Sequence, residues 1–307
     1  MRKTIHRWAW TTIRCWEGTL KSVLRSAIPA KYIAKVKQLF GGTYHSIPDC
    51  VIKHKDGRKI RVGPDNIYWG IYCGQDFEPG ATGVVRKLVS EGDVVVDIGA
   101  NFGWYTTLFG NLVGDRGKVY AFEPVPKIFE HLSENIALNN VAHRCVASRL
   151  ALGDERKTVQ LNVFPDLPAS HSSISNLGRQ GYVSFPAQMI LLDAFLEDNN
   201  VERINFLKCD VEGAELLALR GARNLLCQGT APLVMYECNK GTAEAFGYTP
   251  LDIFKFCQEV GYAHFFKVTE SGYLQAIEMA TAADFDEMNV IAAKEPHLVR
   301  CREMLRD

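Results

Sequence analysis

Between Asp93 and Ala293, apolar runs of five or six residues alternate with segments whose apolar positions recur every three or four residues. Short bounded apolar runs indicate buried strands, and the longer period indicates amphipathic helices. The pattern predicts strands at 93–98, 118–123, 143–149, 204–209, 232–238, 262–267 and 288–293. Helices are predicted at 103–112, 126–139, 189–197, 214–226 and 250–260. Such alternation argues for an α/β fold with a mostly parallel, seven-stranded sheet and helices on both faces.

Upstream, Ile5, Trp8, Ala9, Ile13, Trp16, Leu20, Val23 and Leu24 recur at helical spacing, and Pro29 ends that helix. A second short helix is predicted from Tyr32 to Phe40, closed by Gly41-Gly42. Residues 50–72 read as extended, with Asp56-Gly57 turning a hairpin. A helix over 82–90 leads into the first strand of the sheet. The chain is therefore divided into an extension of basic helices and hairpin at 1–75 and an α/β domain at 76–307. The alternation breaks at 154–186, which includes "LNVFPDLPASHSSISNLGRQGYVSF", rich in Ser, Pro and Gly. An insertion near strand C-termini is a candidate substrate loop.

Composition adds little until it is divided along the chain. The 307 residues are 47% apolar and carry no formal net charge, so bulk charge offers nucleic acid no footing. Residues 1–40, however, hold nine Lys/Arg against the acid Glu17, leaving 26 basic and 34 acidic residues beyond them. A basic helix bearing Trp8, Trp10 and Trp16 suits peripheral contact with a membrane surface. The same apolar stripe could instead dock on the α/β domain or on a second subunit, giving a homodimer. An Arg-rich, acid-poor start also has the composition of a mitochondrial transit peptide. The nine cysteines are odd in number and form no C-x-x-C, which points to reduced thiols and a cytoplasmic setting. No uncharged apolar run approaches the 18 or so residues of a membrane span.

The chemistry starts in "VVVDIGANFGWY", Val94 to Tyr105. Asp97 ends the first core strand, and Gly99 and Gly103 permit a tight turn and close backbone approach. The spacing is G-x-x-x-G, and Asn101 stands where a dinucleotide loop favours a small residue. A pyrophosphate would be repelled by Asp97, whereas S-adenosylmethionine has no phosphate and carries a sulfonium and an ammonium. Glu123 ends the next strand, where an acid can accept both ribose hydroxyls. Two rivals stay open. One is an NAD(P)-dependent oxidoreductase, for which Glu123 fits and Asp97 does not. The other is a non-catalytic protein with a relict cofactor site.

"KCDVEGAE" is the densest cluster of titratable groups. Asp210 ends a strand and would face the cofactor, or else cap the next helix. Glu212 and Glu215 open that helix, where acids favour its dipole. Glu237 and Asn239 end the fifth strand on one side of it and could join Asp210 around Mg²⁺. No metal is assigned, because Cys238 separates the two. Asp210, Glu237 and His171 are the candidate bases, and His171 lies in the Ser-rich insertion. Phe102, Trp104 and Tyr105 either line the pocket or face the core, and Lys208 reads as a strand residue reaching an edge. DNA amino-methylation is a poor fit, since no N/D-P-P-Y/F tetrapeptide occurs.

Six blocks in order, "DIGANFGWY", "AFEPVPKIFEHLSENIALNN", "ALGD", "LLDAF", "INFLKCDVEGAELLALRGA" and "VMYECN", resemble the signatures of FkbM-family methyltransferases. The resemblance covers roughly 75–295 and leaves out 1–50. It implies a Rossmann-like class I fold, S-adenosylmethionine as cofactor, and O-methylation of a sugar, glycolipid or polyketide-like acceptor. It also implies roles for particular residues. Asp97, Gly99, Asn101 and Gly103 would form the first cofactor motif, and Glu123 would be the ribose acid. Asp154 would lie near the adenine amine, unless it is an ordinary turn residue.

Overall fold

The computed structural model describes residues 49–62, 67–72, 74–163, 172–173, 181–278 and 287–306. The basic segment 1–40 and His171 lie outside them. Ile47–Asp307 form one compact unit. The hairpin β1 (Cys50–Lys53) and β2 (Lys59–Val62) belongs to this unit, although the sequence reading grouped it with the N-terminal extension. Gly57 takes a left-handed φ of +90° at its turn.

The central sheet contains β3 (Val94–Ile98), β4 (Lys118–Phe122), β5 (Cys145–Ser148), β10 (Phe206–Cys209), β11 (Leu233–Asn239), β12 (His264–Val268), β13 (Leu274–Ala276) and β14 (Glu287–Ala293). Their order is β13-β12-β14-β11-β10-β3-β4-β5. All seven expected strands are present, and β13 adds an eighth at the edge. Pairing is parallel from β11 to β5 and antiparallel around β14. Both faces are covered. Val95, Phe206 and Met235 enter one core, while Val96, Leu207 and Val234 enter the other. That explains why the central strands read as continuous apolar runs.

The helices are α1 (Ile67–Tyr72), α2 (Pro79–Leu88), α3 (Trp104–Leu112), α4 (Pro126–Leu138), α5 (Leu192–Asp198), α6 (Glu215–Arg220), α7 (Arg223–Cys227), α8 (Lys240–Glu244), α9 (Pro250–Glu259) and α10 (Glu295–Arg302). Four expectations change. Residues 67–72 are helical rather than extended, since Ile71 is buried and left-handed Gly74 closes the turn onto its carbonyl. The helix expected at 214–226 breaks at Gly221, where a Cβ would lie 2.0 Å from the Gly153 carbonyl oxygen. The insertion, where it is described, contributes strands to a second sheet and is not a loop. The sheet's strands β6 (Ala151–Leu152), β7 (Lys157–Val163), β8 (Ser172–Ser173) and β9 (Val183–Ile190) pair in the order β6-β9-β7-β8. Val159, Leu161, Ala187 and Met189 bury one face of it against Val125 and Ile128. β9 also takes residues 189–190 from the expected helix, so α5 starts at Leu192. Among the described residues no helix is long and apolar enough to cross a membrane.

Candidate active site

The C-terminal ends of β3, β4, β10 and β11 converge, and the loops leaving them form the site. β3 and β10 lie side by side, with Asp97 in register with Lys208. Gly99 has φ +76°, and a Cβ there would come within 1.8 Å of the Asp210 carbonyl oxygen. No side chain fits that gap, so this glycine sets how closely the two loops approach.

Asp97 is fully buried beneath the loop. Its Oδ2 accepts a hydrogen bond from Thr106 Oγ1 at 2.6 Å, and Oδ1 has no hydrogen-bond partner. Burial raises its pKa, against the attraction of Lys208. The loop above it uses its own amides. Gly99 and Ala100 N–H donate to the Phe122 carbonyl, and Gly103 N–H donates to that of Ala100. Asn101 N–H donates to Glu123 Oε2 at 3.0 Å, and Phe102 N–H to Asn101 Oδ1 at 2.7 Å. Asn101 holds a left-handed φ of 51° to do so. A phosphate cradle needs amides pointing at the ligand. Here every amide from Gly99 to Gly103 is already committed.

Glu123 is buried at the end of β4, and its other oxygen accepts from Val125 N–H at 2.9 Å. Burial pushes its carboxyl up to about 7, opposed by those two amides. A carboxylate has lone pairs beyond these two bonds, so acceptance from ribose hydroxyls stays open to it. Asp154 follows Gly153, which packs against Gly221 at the far end of α6 from Glu215.

The second half of the site is acidic. Asp210 Oδ2 lies 2.8 Å from Lys208 Nζ. Carboxylate oxygens of Asp210, Glu215 and Glu237 lie within 4.8 Å of one another. Burial, with Asp210 next, pushes Glu237 up to about 10 and Glu212 up to about 8. Glu237 Oε2 is buried without a hydrogen-bond partner. Glu215 is occupied structurally, accepting from Val211 N–H at 2.8 Å and from Gly213 N–H at 3.1 Å. Asn239 is likewise spent on capping α8 through the Gly241 and Thr242 amides, so it is no ligand partner for Asp210 and Glu237. Glu215 opens α6 as expected, and its carboxylate also bonds to the loop before the helix.

Lys208 and Glu78 were missed. Lys208 is not at an edge; it is 2% exposed in the middle of the sheet, with Nζ 4.7 Å over the Tyr105 ring. Burial opposes its charge, but Asp210, Asp97 and Glu78 outweigh burial and raise its pKa. Glu78 accepts from the Tyr105 hydroxyl at 2.7 Å, and burial raises its pKa. Alternation could have flagged Lys208, since it shares a face with buried Phe206. No local signal marks Glu78. Phe102, Trp104 and Tyr105 are core residues, all buried.

An open α/β sheet with an acid under a committed glycine loop, and a second acid closing the next strand, defines a Rossmann-like protein of the class I methyltransferase type. The chain belongs to the FkbM methyltransferase family, whose domain profile, "Methyltransferase FkbM domain", matches residues 97–263. It is 30% identical to methyltransferase sdnD of Sordaria araneosa, over 41% of this chain and 59% of that protein. It is 27% identical to the hexuronic acid methyltransferase AglP of Haloferax volcanii, over 59% and 69%. It is 29% identical to the 31-O-demethyl-FK506 methyltransferase FkbM of Streptomyces tacrolimicus, over 43% and 60%. The chain thus spans about three fifths of the length of the first and third of these relatives.

Proposed function

We propose that this protein transfers a methyl group from S-adenosylmethionine to a hydroxyl oxygen of a sugar, glycolipid or polyketide-like small molecule. The observation that carries the reading is the glycine loop, whose amides are all committed and whose floor is Asp97. That arrangement rejects a pyrophosphate and favours a cation, which disfavours the nicotinamide alternative. The carboxyls of Glu78 and Asp210 face the ammonium of Lys208, and Glu212 and Glu237 lie near Asp210, an excess of acid that a cationic ligand would offset. The acceptor class rests on the relatives, one named for a hexuronic acid and one for 31-O-demethyl-FK506.

When bound, S-adenosylmethionine supplies an electrophilic methyl carbon on a sulfonium. The chain's own residues do the rest. Gly99, Asn101 and Gly103 bring backbone close to the ligand, and Glu123 takes the ribose hydroxyls. Asp154 stays the candidate for the adenine amine. Asp210, held by Lys208 through one oxygen, keeps the other to accept the acceptor's hydroxyl proton. Glu237 beside it is neutral near pH 7 and serves as a hydrogen-bond donor.

Calorimetry tests the cofactor. Both S-adenosylmethionine and S-adenosylhomocysteine are expected to bind at about 1 μM, or about −8 kcal/mol, and NADH is not. Folded protein that takes NADH and neither sulfur ligand would end the reading. The sign of the pH dependence follows from the raised carboxyls. A cation is held better by Glu123 and Glu212, raised to about 7 and about 8, when they are ionised, so binding releases protons. Affinity for S-adenosylmethionine should therefore rise from about pH 6 to about pH 8.5, by roughly threefold or more per unit. The slope should be smaller for S-adenosylhomocysteine, which lacks the sulfonium. Equal slopes would mean that the acids do not face the sulfur.

Residues 1–40 would bring such an enzyme to an anionic surface, which suits a lipid-linked acceptor. Co-sedimentation with anionic vesicles checks this: the full chain should pellet and a chain lacking residues 1–40 should not. Equal partitioning would leave docking within the protein or a dimer as the role of the segment.

A further inference from the structure

We propose that the β1–β2 hairpin is the positioning element of the cofactor loop, with Arg58 and Asn135 as the residues through which it acts. The proposal rests on the functional reading above, because it assigns the loop to cofactor binding. The loop's amides are committed to Phe122, Glu123 and the loop itself, and its later carbonyls are held by side chains. Asn135 Nδ2 donates to the Phe102 carbonyl at 2.8 Å. Thr107 Oγ1 donates to the Gly103 carbonyl at 2.8 Å. Arg58 Nη1 donates to the Trp104 carbonyl at 2.6 Å and to Thr107 Oγ1 at 3.0 Å. Three successive carbonyls are thereby fixed where the loop turns into α3.

Both of the long-range contacts lead to the hairpin. Asn135 is fully buried on α4, and its Oδ1 accepts from Arg61 N–H of β2 at 2.8 Å. A single amide group therefore ties β2 to the loop. Arg58 sits at the start of β2 and is 2% exposed. Its guanidinium lies 4.2 Å from the Trp104 ring centre and pairs with Asp56 through Nε at 3.0 Å and Nη2 at 2.9 Å.

A buried ion pair is weak support for stability alone, since apolar residues of similar volume often do as well. What the guanidinium adds is direction, as a planar fork aimed at one carbonyl and one hydroxyl. The loop needs such support. Asn101 and Gly103 both have positive φ, and a left-handed non-glycine residue persists only where its surroundings over-determine it. Neither Arg58 nor Asn135 reaches the acidic cluster, so both act through the loop and touch no reacting atom.

Arg58→Lys keeps the charge and removes the fork. In the full-length chain it is expected to weaken S-adenosylhomocysteine binding about tenfold, the effect of one lost charged hydrogen bond. Amide exchange of residues 99–107 in the free protein should quicken, while β10 stays protected. Leu226→Ala, a core truncation in α7, is the stability control and should leave both readouts near wild type. Should Arg58→Lys fail to fold, Asn135→Ser gives the same comparison without touching a charge. Unchanged affinity and unchanged exchange at 99–107 would overturn the proposal. So would an equal loss of affinity in Leu226→Ala, which would make the hairpin merely stabilising. Wild-type protein that binds no S-adenosylhomocysteine would overturn the functional reading instead, and the exchange measurement would then decide the hairpin's hold on the loop.

Discussion

Asp210→Asn is expected to lower kcat by about 10²–10⁴, the usual contribution of a positioned base. Asp210 ends β10 in contact with Lys208, which fixes one oxygen and leaves the other to take a proton. Glu237 stands close by, but burial and the neighbouring acids push its carboxyl up to about 10. A group protonated at neutral pH cannot accept a proton, so Glu237→Gln, which keeps shape and hydrogen bonding, should cost less than about tenfold. The sequence alone ranks the two carboxylates equally, and the raised Glu237 separates them. Transfer of label from S-adenosylmethionine to acceptor fractions of a cell extract measures both variants. A silent Glu237→Gln beside an active Asp210→Asn would reverse the assignment. His171→Ala completes the set. Loss of turnover there, with Asp210→Asn active, would move the base into the Ser-rich insertion.

Gly99→Ala should damage the fold itself. The new Cβ would meet the Asp210 carbonyl oxygen at 1.8 Å and sit at φ +76°. Backbone lies on both sides of that clash, so no rotamer relieves it. A loss of about 3 kcal/mol is expected from overpacking and left-handed strain together. For a domain of this size that lowers Tm by roughly 6–12 °C. Gly57→Ala is the comparison, since Gly57 also has positive φ but nothing lies within 4 Å of its Cβ position. It should lose only the strain, about 1–2 kcal/mol. Thermal melts followed by circular dichroism distinguish the two. A Gly99→Ala melt within the Gly57→Ala range would mean that the ends of β3 and β10 move apart freely.

The elements most legible in the sequence are those whose signals are local. "VVVDI" and "FLKC" are buried on both faces, so their apolar runs mark strands without ambiguity. Asp97, Gly99, Asn101, Gly103 and Glu123 were legible because strand ends and turn glycines are local too, and one β-α-β unit brings them together. The β7–β9 ladder was hidden because its stability comes from partners about 25 residues apart, such as Leu161 and Phe185. A stretch rich in Ser, Pro and Gly between them reads as a loop.

By itself, then, the sequence determined the parallel sheet, the strand that carries Asp97 and the acid that closes the next one. Periodicity and turn chemistry act over a few residues, and these features need nothing more. Tertiary structure decided which polar groups are free to do chemistry. It turned Asn239 into a helix cap and Glu215 into a bonding partner for backbone amides. It placed Lys208 beside Asp210 and brought Glu78 to Tyr105. It raised Glu237 by burying it among other acids. Hydrogen-bond partners, desolvation and neighbouring charge set each of these roles. The Asn239, Glu215 and Lys208 contacts join residues within four positions, but the burial of Lys208, the Glu78–Tyr105 bond and the acids around Glu237 depend on residues far apart in the chain, which only packing brings together.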